Sequence, residues 1–284
     1  MSSNVTIEYM VTTSSTKPSL DNANWSSTAS EVTIDNTEAK TYYVWAKDGV
    51  NITSSSINTY LLTKSEGTGT TLTLKYQNSN GVTLSTGYVL SGTTVYVEGS
   101  LGRGYSNLAL KKDTTSISSG STQTINAATT ISSSATANTY TVNYDCGTGT
   151  GTPASSQTAT YNKTFTVDKT GGSCTKPGYT FSGYKDPTGD ASWTNWSGTW
   201  VYINGQYGIA DNTLALTAQW TPKELTFNNQ TITKTFSTSS QTANVTAATN
   251  GTGTYTYSKV SGESDITVSS AGVITIPASK TGNT

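Results

Sequence analysis

The sequence predicts a mainly β protein made of small β modules in tandem, and three observations predict it. First, short runs of alternating apolar and polar side chains recur along the whole chain, each bounded by Gly, Pro, Asn or Asp. Half-buried strands and their turns read this way. The clearest are Gly178-Tyr179-Thr180-Phe181-Ser182-Gly183-Tyr184 and Leu214-Ala215-Leu216-Thr217-Ala218-Gln219-Trp220. Second, Thr is roughly one residue in five while only 12% of residues are charged, so β-branched Thr takes solvent-facing strand positions that Lys and Glu usually fill. Third, 17 Tyr and 6 Trp at alternating positions supply ring mass that a disordered polar chain lacks. At 284 residues the chain exceeds one small β domain, and several domains are expected.

Residues 1–64 form the first expected unit. Val5-Thr6-Ile7-Glu8-Tyr9-Met10-Val11 alternates as a strand, Lys17-Pro18-Ser19-Leu20-Asp21-Asn22 is turn-rich, and Glu31-Val32-Thr33-Ile34-Asp35 reads as a short strand. The strongest strand here is Thr41-Tyr42-Tyr43-Val44-Trp45-Ala46-Lys47, closed by the turn Asp48-Gly49, with another at residues 57–62. Gly67-Thr68-Gly69 is a hinge opening the second unit, residues 66–138. There, strands at 72–76 and 82–84 flank Asn78-Ser79-Asn80-Gly81, and an Asn-Gly pair between alternating runs is a strong hairpin signal. Strands at 94–98, 104–110, 123–125 and 129–131 complete it.

The third unit, residues 139–222, repeats that order with a longer insertion. Residues 140–144 answer 72–76, residues 165–167 answer 95–97, Gly178-Tyr179 answers Gly104-Tyr105, and 213–218 answer the closing run from Thr130-Ile131. Self-similarity of this kind predicts two diverged copies of one module. The fourth unit, residues 223–284, carries expected short strands at 225–227, 230–232, 243–245, 254–258, 266–268 and 273–277, with turns at Asn250-Gly251 and Ala271-Gly272.

The run Tyr42-Tyr43-Val44-Trp45-Ala46-Lys47-Asp48 makes residues 5–64 resemble bacterial immunoglobulin-like repeats. Such sandwiches carry about seven strands against roughly five counted here, which implies that opening strands are missing. Residues 140–144, Gly147-Thr148-Gly149-Thr150-Gly151, Lys176-Pro177-Gly178-Tyr179 running on to Tyr184, and Leu216-Thr217-Ala218-Gln219-Trp220 carry a second likeness. Through them residues 139–222 resemble the Listeria-Bacteroides repeat, or internalin B-repeat-like, family, with Tyr184 where that family usually has Trp. The resemblance implies a β-grasp-like module found in tandem in bacterial surface proteins, and it brings no catalytic residues. Asn250-Gly251-Thr252-Gly253-Thr254-Tyr255 and Ser270-Ala271-Gly272-Val273-Ile274 make the last unit similar to another bacterial immunoglobulin-like or cadherin-like family. In that family a further strand follows, whereas this chain stops at Gly282-Asn283-Thr284, so the sequence reads as a fragment. Together the resemblances refine the expected fold to immunoglobulin-like sandwiches and β-grasp-like repeats in an extended multi-domain array.

Composition removes several function classes. A net charge of -1 lacks the basic footprint of a nucleic-acid binder or of an anionic-membrane surface. No run approaches the eighteen or so apolar residues of a membrane span. Met1-Ser2-Ser3-Asn4-Val5 has neither the basic region nor the apolar stretch of a signal peptide, so signal and anchor are expected outside this chain. The sequence has no histidine, which removes Ser-His-Asp and Cys-His nucleophiles and histidine zinc sites. No cofactor and no metal are expected.

Cys146 and Cys174 are the only cysteines, and in an extracellular setting they are expected to close a loop of about thirty residues as a disulfide. Trp193, Trp196, Trp200, Tyr202 and Tyr207 cluster in the insertion of the third unit. They read as the core of a module with little else to bury, and the competing reading is an aromatic platform that stacks sugar rings. Asp186 with Asp190, and Glu263 with Asp265, are the paired carboxylates. Neither pair has EF-hand spacing or a third acid nearby, and turns favour Asp for simpler reasons. Gly147-Thr148-Gly149-Thr150-Gly151 lacks the Gly-Lys-Ser/Thr and helix of a phosphate loop and reads as a hairpin connection. Thr-x-Thr runs such as Thr71-Leu72-Thr73 read as exposed strand faces rather than ice-binding arrays.

These readings converge on a non-catalytic stalk or spacer of a bacterial cell-surface or secreted protein, wall-anchored or released, monomeric, and compatible with adhesion to a host or environmental glycan or protein. The alternative is a carbohydrate-binding module using the insertion at 193–207.

Overall fold

The computed structural model describes residues 5–28, 31–235 and 237–278; Met1 to Asn4 and Gly282-Asn283-Thr284, considered above, lie outside them. Among the described residues there is no helix, and the protein is mainly β with several sheets. The chain divides into two compact units, Met1–Asn138 and Thr139–Thr284.

The first unit contains β1 (Glu8–Thr12), β2 (Thr41–Lys47), β3 (Ile52–Ser65), β4 (Thr70–Tyr76), β5 (Thr83–Leu84), β6 (Gly87–Leu90), β7 (Thr93–Leu101), β8 (Tyr105–Lys112), β9 (Thr115–Ile117), β10 (Ser121–Ile125) and β11 (Thr129–Ala137). One sheet runs β1-β2-β3-β11-β8-β9, with β6 also on β3, and a second runs β10-β7-β4-β5. Period-two alternation sends one face of each strand inward. Leu62, Leu110 and Ile131 from the first sheet thereby meet Leu72, Leu74, Val95, Val97 and Ile125 from the second, giving a sandwich core. A smaller cluster of Met10, Trp25 and Trp45 sits at the β1–β2 end, where Trp45 Nε1 donates to Thr12 Oγ1 at 3.0 Å. The Asn78–Gly81 connection joins β4 to antiparallel β5. The run at 31–35 joins no ladder. Asp35 instead closes a local turn, its Oδ1 accepting from the Thr37 N–H at 2.9 Å and its Oδ2 from Lys40 Nζ at 2.6 Å. Such a side chain-to-backbone bond competes with sheet pairing.

The second unit contains β12 (Thr139–Asp145), β13 (Gln157–Thr160), β14 (Thr164–Thr166), β15 (Tyr179–Lys185), β16 (Ser197–Thr199), β17 (Thr213–Pro222), β18 (Gln241–Asn244), β19 (Thr267–Val268) and β20 (Val273–Ile276). Its main sheet runs β13-β12-β17-β15, β14 pairs β16, and a three-stranded sheet runs β18-β20-β19. The core joins Tyr140, Val142, Tyr144, Leu214, Leu216 and Ala218 to Phe165, Tyr184, Trp193, Trp200 and Ile209. Past Pro222 the expected strands at 225–227, 230–232 and 254–258 do not form. Thr226 makes one bridge to Thr249, and the Tyr257 N–H reaches Ser270 O at 3.0 Å. The reason is a shortage of buried apolar surface: Leu225, Phe227 and Val260 are exposed, and Ala248 is the one buried hydrophobic residue described in this stretch.

The two units share a four-strand frame. In the second, β12 pairs antiparallel with β13 and parallel with β17, and β17 pairs antiparallel with β15 through a register shift. In the first, β3 pairs antiparallel with β6 and parallel with β11, and β11 pairs antiparallel with β8, again through a register shift. Gly104 and Gly178, both at positive φ, open the equivalent strands β8 and β15. Their carbonyls accept from Asn138 N–H at 2.9 Å and Lys223 N–H at 2.8 Å, the residues that follow β11 and β17. Gly104-Tyr105 therefore does answer Gly178-Tyr179. The counterpart of β12 is a correction: it is the second half of β3, Thr59-Tyr60-Leu61-Leu62, and not residues 72–76, because only β3 lies parallel to β11.

Candidate functional site

The insertion between β15 and β17 folds inward. Trp193 and Trp200 are 2% and 0% exposed, and Trp196, Tyr202 and Tyr207 pack half-buried against them. Ring centroids around Trp193 lie 5.4 Å (Trp196), 5.9 Å (Trp200), 5.3 Å (Tyr202) and 6.0 Å (Tyr207) away, at interplanar angles from 34° to 89°. A sugar platform needs rings in one plane on one face. These rings are tilted or edge-on to one another and two are covered, so Trp193, Trp196, Trp200, Tyr202 and Tyr207 form a core, the first of the two readings of the sequence, and do not make the competing platform.

Asp186 is what holds Trp193 there. This carboxylate is 5% exposed; its Oδ2 accepts from Trp193 Nε1 at 2.9 Å, and its Oδ1 from the Thr188 N–H at 2.9 Å, the Thr188 hydroxyl at 2.5 Å and the Gly189 N–H at 3.2 Å. A buried carboxylate is tolerated when hydrogen bonds satisfy it in this way. Asp190 is exposed and does not join it. Glu263 and Asp265 are exposed surface residues, and the Asp265 Oδ1 accepts from Ser264 Oγ at 2.7 Å.

Cys146 and Cys174 are bonded as a disulfide, their Cα atoms 5.5 Å apart. Around it the segments at 146–152 and 171–175 form a clasp. Thr150 and Thr175 exchange backbone bonds at 2.8 Å, and Trp220 Nε1 donates to Cys146 O at 3.0 Å. Gly149 is required here, since a Cβ on it would sit 2.5 Å from the Trp220 ring. The glycine run is thus a closely packed connection, as read from the sequence.

Beside the clasp lies a cavity of about 160 Å³, lined by Asp168, Lys169, Phe181, Ser182, Gly183, Tyr184, Thr194 and Asn195. It is created by the register shift between Phe181 and Gly183 in β15, where Gly183 takes φ +123 and a Cβ would sit 1.9 Å from Thr194 Oγ1. Tyr184, 1% exposed, is held between the rings of Tyr144 and Phe181 at 4.8 and 5.0 Å. Its hydroxyl has no hydrogen-bond partner. Burial first, then the nearby Asp168 carboxylate and Tyr144, push its pKa up to about 12. Asp168 Oδ1 accepts from the Thr170 N–H and hydroxyl, both at 2.8 Å, and from Gly171 N–H at 3.2 Å, while Oδ2 takes no bond from a described residue. Sequence reading missed this group. The signal was Gly183 inside an alternating strand, which marks a bulge or a close approach.

Compared with models of known protein families, with curated proteins and with solved structures, the chain matches none of them. The functional argument therefore rests on the geometry above.

Proposed function

We propose that the chain is a non-catalytic structural segment, a stalk or spacer, of a bacterial cell-surface or secreted protein. The observation that carries this reading is how the second unit uses its chemistry. Its rings and its buried carboxylate complete a core, a disulfide ties its loops together, and the outward positions of β12, β17 and β15 are largely Thr, Ser and Ala. A disulfide persists in oxidising surroundings outside the cytosol, and hydroxyl-bearing strand faces keep a low-charge surface hydrated. The likeness of residues 139–222 to tandem repeats of bacterial surface proteins agrees with this.

The test uses cells that make the protein. Protease added to intact cells is expected to remove this segment, or the segment is recovered from the medium, and denatured protein taken without reductant is expected to carry no free thiol. A segment that stays protected inside the cells with two titratable thiols refutes the proposal.

A further inference from the structure

We propose that the Cys146–Cys174 disulfide is a redox-operated lock on the joint between residues 139–222 and residues 223–278. The lock concerns bonds inside the second unit, and it stands whether or not the segment is a stalk.

The joint is short and made of backbone. Lys223, the residue after β17, donates its N–H to Gly178 O at 2.8 Å, and Thr226 then exchanges bonds of 3.1 and 2.9 Å with Thr249. That pairing sets the next turn, Asn250-Gly251-Thr252, directly on Gly178. A Cβ on Gly178 would sit 2.4 Å from Gly251 O and 2.9 Å from Thr252 Cα, so only a glycine, here at positive φ, lets the two backbones meet. Gly251 is fixed from its other side, where its N–H donates to the Tyr255 hydroxyl at 2.9 Å. From Gly178 through Lys223, Thr226, Thr249 and Gly251 these contacts return to Gly178, and a ring closed in this way has one orientation.

Both sides of the joint are tied to the disulfide. The ladder of β15 and β17 ends at Tyr179 and Pro222, and beyond it the clasp takes over. On the β15 side Cys174 stands four residues before Gly178. The span between them is held by the Thr175–Thr150 bonds and by Lys176, whose Nζ donates to Thr148 Oγ1 at 2.9 Å and lies 4.0 Å from the centre of the Tyr179 ring. On the β17 side Trp220, three residues before Lys223, donates to Cys146 O at 3.0 Å. Each cysteine thus anchors one side, and the S–S bond joins the anchors. Once it is cut, hydrogen bonds alone remain, and one net bond shifts an opening equilibrium only about fivefold. The reductant is a dithiol. Its thiolate attacks the sulfur of Cys174, the more exposed of the two cysteines. The S–S bond breaks and Cys146 leaves as a thiolate that takes up a proton; the second thiol of the reductant then closes on the mixed disulfide and releases Cys174. The protein gains two thiols and the reductant becomes a disulfide.

The experiment is amide NMR of the full chain in a weakly aligning medium, before and after dithiothreitol. Residual dipolar couplings from β12 and β17 and from β18 and β20 are expected to fit one alignment tensor in the oxidised chain and to need two after reduction. Exchange of the Lys223 amide proton, which reports the bond to Gly178, is expected to speed up at least about fivefold. The double variant Cys146→Ser with Cys174→Ser is expected to match the reduced chain and to ignore the reductant. Gly178→Ala is expected to free the joint with the disulfide intact. The proposal is overturned if one tensor survives reduction, if the oxidised chain already needs two, or if Gly178→Ala keeps one. It is overturned as well if reduction unfolds the β12–β17 sheet, because the bond then holds the module and not the joint. Dithiothreitol needs no substitution, so it tests the lock even if Gly178→Ala does not fold.

Discussion

Trp193 shows how little of a side chain's role is visible in its identity. The sequence offers an indole in a Trp-rich loop, and both a sugar platform and a core are consistent with that. Asp186 decides between them, because a buried carboxylate that accepts the indole N–H fixes the ring inward. Nothing in the spacing of residues 186 and 193 announces this, since the pairing depends on how the loop returns across β15. Trp193→Ala should therefore cost about 3–5 kcal/mol in a urea unfolding curve, and Asp186→Ala about 1–3 kcal/mol because it leaves the indole and Thr188 donors without their acceptor. A loss below 1 kcal/mol for Trp193→Ala would return the ring to the surface. Tyr184 gives a pH dependence of definite sign. Its phenol ionises at about 12 in the fold against an ordinary 10.0, so below pH 10 both folded and unfolded chains keep the proton. As pH rises from 10 to 12 the unfolded chain releases it first, and stability falls. Absorbance of phenolate near ~295 nm should show Tyr184 among the last to ionise, with Tyr184→Phe removing that late step.

Among elements, the strands with strict alternation were legible, and the correctly read ones cluster in the cores. β12 and β17 alternate buried and exposed positions along most of their length, and their apolar residues are those the sequence assigned inward. The failures fall where propensity had no packing behind it: the 31–35 run is turned by Asp35, and 225–232 has strand-like residues with nothing to bury them. The clasp at 146–175 was legible because two cysteines leave one pairing. Its energetic weight follows from the 28-residue separation: reduction should lower the stability of this unit by about 3–4 kcal/mol on the loop-entropy account. In single-molecule extension the same loop is shielded until the bond is cut, and reductant should lengthen the unfolded chain by about 100 Å, the reach of those residues. An unchanged length would mean that the thiols were already free.

For the whole molecule, the equivalence of Gly104-Tyr105 and Gly178-Tyr179 was legible, while the frame of the repeat was not, and the separation expected at residues 64–66 is not seen, since Leu62 and Leu72 share one core within a single unit. Leu72–Thr73–Leu74 imitates the pattern of β12 so well that only the parallel pairing of β3 with β11 separates them. The two units have separate cores, so calorimetry should resolve two transitions. Reductant or Trp193→Ala should lower one of them and leave the other in place, and joint movement of both would show that they unfold as one. The parallel pairs also govern how the protein comes into being. Leu62 waits for Thr129, and Thr141 for Thr213, so neither sheet can close while the ribosome is still making its middle. At about 5–20 residues per second each unit passes several seconds with its central strand unpaired on one side, and loop closure on this scale makes folding slow as well. Scarce charge is a weak defence during that interval. The hydroxyl-rich outer faces of the strands, which hold water on one side of a nascent sheet while its apolar side waits for the core, are what the growing chain has in its place.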